Sequence, residues 1–85
     1  MRQYATMKPV GETPSRKKIV NVAQYGEMLR ARRRELGYTQ QTVAMMMNCS
    51  ARLVADMEHG KPTVGFEHYL TYAQGLSLDI FLEVR

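Results

Sequence analysis

A single cysteine among 85 residues leaves nothing from which to build an intramolecular disulfide framework, and it fits a reducing compartment. No apolar run approaches the roughly 18–20 residues that cross a bilayer. The opening stretch, "MRQYATMKPVGETPSRKKIV", lacks the apolar h-region of a secretory signal. A cytoplasmic location with no membrane association is therefore expected. Histidine is scarce too. His59 and His68 are the only two, and neither stands at the spacing of a metal site or a nucleophile and its base. No Gly-rich phosphate loop occurs. Catalysis has little to work with, and neither an enzyme nor a cofactor is expected.

A chain this short forms one small domain and buries little surface, so a second copy would naturally supplement its core. The net charge of +4 is unevenly spread. Residues 1–34 hold nine Lys/Arg against two acids, whereas residues 35–85 hold three against six. A basic half suits a polyanion such as nucleic acid, although a solvated charged face has the same composition.

Residues 1–20, with Pro9, Gly11, Pro14 and the "RKK" run at 16–18, lack periodicity and read as a flexible basic arm. A helical domain follows over residues 21–75. Asn21 is a candidate N-cap, Val22, Tyr25, Leu29 and Leu36 share one face, and Gly37 follows the end. Thr39 caps a second helix with Val43, Ala44 and Met47 inward. Ser50 caps a third, whose inward face is Val54 and Met57, and Gly60 and Pro62 end it. Thr63 is the expected cap of a fourth, with Phe66, Leu70 and Ala73 in an i, i+4, i+7 row and Gly75 at its close.

Residues 76–85 change period. Leu76, Leu78, Ile80, Leu82 and Val84 alternate with polar residues and Phe81, as in a strand with one apolar face. A lone strand leaves its backbone groups unpaired. The same strand of a second copy would pair with it, and so would the chain's own N-terminal segment.

Three residues, Asn48–Cys49–Ser50, connect the second and third helices, which forces a sharp corner. Asparagine tolerates the left-handed conformation such a corner needs, and Cys49 serves as a small buried apolar group. The layout is that of a helix-turn-helix, whose second helix enters the DNA major groove. The adjacent Met45, Met46 and Met47 fan around a helix, about 100° apart, so they cannot converge on a soft metal ion. Met45 and Met46 are left as exposed apolar groups that a protein partner could cover.

"LRARRRELG" and "YTQQTVAMMMNCSARLVADMEHGK" together resemble the phage repressor/Cro (Xre) helix-turn-helix family. The matching features are Thr39–Gln40 opening the first motif helix, Ala44 within it, Ser50 opening the next, and Glu58 with Gly60–Lys61 at its end. Asn48 stands where that family usually has glycine, and Met45 and Met46 stand at positions that are usually polar. The continuation "HGKPTVGFEHYLTYAQGLSLDIFLEV" is similar to the end of HipB-type antitoxins. The resemblance implies an all-α, lambda-repressor-like domain of four to five helices. It also implies that Leu78, Ile80, Leu82 and Val84 lie on a strand that pairs across a homodimer. A double-stranded, roughly palindromic operator and, for some relatives, a HipA-type kinase toxin would be the partners.

Roles follow from that placement. Gln40 and, more weakly, Gln41 are positioned for a phosphate, helped by free N–H groups at a helix start. Ser50 and Lys61 suit the DNA backbone as well. Arg52 is the principal base-reading candidate, since arginine grips guanine bidentately, though it could hold a phosphate instead. Ala51 or Leu53 could meet a thymine methyl, and Ala55 faces DNA in the family. Asp56 would accept from cytosine or restrain Arg52, four residues earlier. Arg33 aligns with a family arginine that pairs with the counterpart of Glu58, so an Arg33–Glu58 structural ion pair is implied. Arg30, Arg32 and Arg34 are expected to be solvated.

Overall fold

The structure, a computed structural model, describes residues 16–85. The arm expected over residues 1–20 falls mostly outside them, and residues 16–20 are exposed without regular secondary structure. Four helices are formed among the described residues: α1 (Val22–Glu35), α2 (Gln40–Met47), α3 (Ala51–Glu58) and α4 (Phe66–Gly75).

The first three helices start as their side chains dictate. The side chains of Asn21, Thr39 and Ser50 accept from the amides of Gln24, Thr42 and Leu53, each satisfying an orphan donor of the first turn. The fourth start differs from expectation. Lys61 to Val64 forms a turn closed by the Val64 amide on the Lys61 carbonyl, so Thr63 is not the cap. Gly65 is, without a side-chain bond.

All four helices end in the same way. The residues just past the last turn, Gly37, Asn48, Gly60 and Ser77, have φ of 78°, 56°, 70° and 60°. In each case the following amide reaches back five residues: Tyr38 to Arg33, Cys49 to Ala44, Lys61 to Asp56 and Leu78 to Ala73. This is the Schellman closure, which satisfies carbonyls the helix leaves open. Gly75 therefore does not close α4. It is the last helical residue, and Ser77 makes the left-handed turn.

Leu29, Val43, Ala44, Val54, Met57, Tyr69, Tyr72, Ala73 and Leu76 form the core. Two expected faces shift. Leu36 is the exposed C-cap of α1 rather than part of its buried face. On α4 the buried stripe is Tyr69, Tyr72 and Ala73, while Phe66 is exposed and Leu70 only half-buried. The tyrosines can be buried because their hydroxyls are bonded, Tyr69 donating to the Lys61 carbonyl at 2.7 Å and Tyr72 to Glu58; a phenol is costly inside only when its O–H lacks a partner. Phe66 instead packs edge-on against Tyr25, which in turn meets Tyr69.

Among the described residues no strand is formed. Leu78 packs on the core, but Leu82 and Val84 beyond it are almost wholly exposed. Arg16 lies over the Phe81 ring at 4.7 Å and 3.8 Å from Glu83, so the N-terminal segment touches the tail through side chains. No described helix is long and apolar enough to cross a membrane.

Candidate nucleic-acid interface

The corner between α2 and α3 depends on Asn48 holding the left-handed conformation, with its amide on the carbonyls of Ala44 and Met45. Cys49 behind it is half-buried against the core, and burial pushes its thiol pKa up, away from the reactive thiolate. Val54 and Met57 anchor the inner face of α3 completely. The opposite face carries Arg52, whose side chain is 81% exposed. Its guanidinium lies 3.7 Å from Asp56, and Asp56 also lies 3.9 Å from Lys61. Such long, wet pairs contribute little, so both cations can swing to a polyanion while Asp56 keeps them aimed.

The remaining candidates divide. Ser50 is exposed with its hydroxyl capping α3, and Gln41 is exposed on the first turn of α2. Ala51 and Leu53 are half-buried and spend part of their surface on the core, and Ala55 is half-buried too. Gln40 is half-buried, its amide donating to Glu58 at 3.1 Å. One side of that amide is therefore already engaged inside the protein.

Glu58 organises the surroundings. Arg33 grips it with two bonds, at 2.6 and 3.0 Å, and also donates to the Tyr38 carbonyl at 2.8 Å. With Gln40 and Tyr72 added, the carboxylate accepts from three side chains of α1, α2 and α4 while its own side chain is 2% exposed. Burial would raise its pKa, but the hydrogen bonds of Arg33, Tyr72 and Gln40 and the Arg33 charge prevail and hold it below the ordinary range. The Arg33 pKa is raised, chiefly by its bond to Glu58. Burial foremost, then Glu58, drives the Tyr72 pKa well above its usual value.

Several contributors were not legible beforehand. Arg32 is no solvated charge: its Nε donates to the Leu76 carbonyl at 2.9 Å, tying α1 to the end of α4. Gly26 lets α1 cross α3, since a Cβ there would lie 2.5 Å from the Met57 carbonyl oxygen. Reciprocally, a Cβ on Gly60 would meet the α1 backbone at Ala23. For Gly26 the only sequence signal is a lone glycine inside a helical pattern, and Gly60 is legible only as a helix end. Arg34, exposed, borders a shallow notch with Thr39, Gln41 and Ala51.

Two short helices at a three-residue corner, the second with a free polar face, define a helix-turn-helix protein. Comparison with solved structures agrees. The chain is similar to the complex of HipA, HipB, O2 and O3, with TM-score 0.73 and 19% identity over 80% of this chain and 96% of the other. It is similar to a HipB variant with an O2 20-mer, at TM-score 0.74 and 21% identity over 82% and 97% of the two chains. The restriction-modification controller protein C.AhdI from Aeromonas hydrophila matches at TM-score 0.60 and 26% identity, over 68% and 88%. No sequence-family profile and no curated protein matches the chain. What is shared at these identities is the fold, and it is the fold of the helix-turn-helix proteins that the sequence resembles.

Proposed function

We propose that this protein is a sequence-specific DNA-binding transcriptional repressor of HipB-like type, working as a homodimer and regulating its own operon. The observation that carries the reading is Arg52, exposed near the start of α3 on a helix whose other face is locked in the core. A HipB variant of like fold has been solved in complex with an O2 20-mer. In a dimer the two α3 helices would enter successive major grooves about 34 Å apart on a roughly palindromic site. Arg52 reads a base; Ala51, Leu53 and Ala55 supply apolar contact, and Asp56 holds Arg52. Gln40, Gln41, Ser50 and Lys61 meet phosphates. The partner strand covers the exposed Leu82 and Val84, with Leu78 and Ile80 on the same face.

The test is an anisotropy titration of a labelled duplex from upstream of the protein's own gene against a scrambled duplex, over a salt series. The own-gene duplex should bind more tightly, and affinity should fall steeply with salt. Arg52→Ala should lose about 1–3 kcal/mol of discrimination between the two duplexes. Weak binding that ignores salt would sink the reading.

A second reading, an antitoxin acting mainly by restraining a HipA-type kinase toxin, draws on Met45 and Met46, 78% and 51% exposed on α2. It also draws on the solved neighbour that contains HipA. Co-expression with the product of a kinase-like neighbouring gene should give a stable complex. Two separately eluting proteins would favour a stand-alone regulator.

A further inference from the structure

The run of arginines at the end of α1 is divided by the fold into charges that are used and one that is not. Arg33 is committed to Glu58 and the Tyr38 carbonyl. Arg32 is committed to the Leu76 carbonyl and Glu35. Arg34 makes no ion pair or side-chain hydrogen bond among the described residues, and it borders a shallow, open notch. The rest of that notch is lined by Arg33 and Tyr38, by Thr39, Gln40 and Gln41 at the start of α2, and by Ala51 at the start of α3. The two helices of the motif thus meet there at the ends that present free N–H groups. No carboxylate lines it.

Gln40 is an incomplete ligand for a phosphate in this notch, because its amide nitrogen is held by Glu58. An exposed cation beside it supplies a stronger contact than the half-engaged amide can. We infer that Arg34 is a DNA-phosphate contact of this protein, gripping the backbone in the notch between the starts of α2 and α3. Arginine suits the task because its planar fork matches phosphate bidentately. Arg30, on the same helix, borders a different cleft that contains the exposed Glu27, whose carboxylate opposes a polyanion.

The inference rests on the DNA-binding reading, and the experiment separates them. Wild type, Arg34→Ala, Arg34→Lys and Arg30→Ala are titrated against the own-gene duplex and the scrambled duplex over a salt series, with melting curves for each protein. Arg34→Ala should weaken both duplexes by a similar factor, about tenfold at low salt. It should flatten the salt dependence by about one unit of slope per protomer. Melting should be unchanged, and Arg34→Lys should recover most of the slope. Arg30→Ala, with the same change in net charge, should change affinity and slope far less. If wild type binds and Arg34→Ala behaves like Arg30→Ala, the assignment of Arg34 is overturned while the repressor reading stands. A loss confined to the own-gene duplex would also overturn it, because a phosphate contact carries no base information. If wild type binds neither duplex, both fall together.

Discussion

Glu58 illustrates how one buried charge can serve an entire small domain. Its carboxylate is almost fully enclosed, yet it receives donors from α1, α2 and α4 while sitting on α3. Removing a partner from such a pair leaves a charge with neither water nor counterion. Arg33→Ala should therefore destabilise the protein by on the order of 3–5 kcal/mol, read from denaturant unfolding. A variant with wild-type stability and lost DNA binding would instead make Arg33 a ligand. Asn48 and Ser77 pose a milder residue-scale problem, holding the left-handed conformation without being glycine. Asparagine is suited to it. Serine is less so, and the closing bond from Leu78 to Ala73 together with the burial of Leu76 keeps it there.

Between elements, the decisive contact is the crossing of α1 and α3. Gly26 lies against the carbonyls of Met57 and Glu58, and Gly60 lies against the backbone of Val22 and Ala23. The two glycines let the helices approach so closely that Arg33 reaches Glu58. Gly26→Ala forces a backbone shift, since the obstructing atoms are carbonyl oxygens rather than flexible side chains. It should cost at least about 1–3 kcal/mol, the usual range for overpacking, despite the better helix propensity of alanine. Thermal melts of Gly26→Ala beside Gly75→Ala, which has open space for a Cβ, check this. Comparable melting temperatures would refute the close-crossing argument.

At the level of the whole molecule, the Glu58 cluster links folding to pH. The folded state holds Glu58 below its ordinary value of 4.5, so it binds that proton less readily than the unfolded chain. The resulting stability is complete above the unfolded value and is lost as pH falls through the lower folded one. Tyr72, held above its ordinary 10.0, works in the opposite direction: its contribution is present below that value and lost as pH rises through the folded one. Denaturation midpoints should therefore fall below about pH 4.5 and again in strong alkali. Glu58→Gln, though less stable at neutral pH, should flatten the acid limb. An acid limb as steep as wild type would place the responsible carboxylate elsewhere.

Local signals carried three helix starts, because Asn21, Thr39 and Ser50 each act on the amide three residues away. They also carried the tight corner at Asn48 and the outward position of Arg52, since helical spacing alone sets which residues oppose Val54 and Met57. Those features belong to the sequence by itself. Tertiary structure decided the rest. Thr63 lost its cap to a turn closed by Lys61 and Val64, and Phe66 gave its place in the core to two tyrosines whose hydroxyls found distant acceptors. The consecutive arginines Arg32, Arg33 and Arg34 became a clamp on α4, a partner of buried Glu58 and, among the described residues, an unpaired cation beside the motif. The reason is range: a cap or a period is read within one turn of chain, whereas a charge acquires its role from what packs against it 25 or 44 residues away.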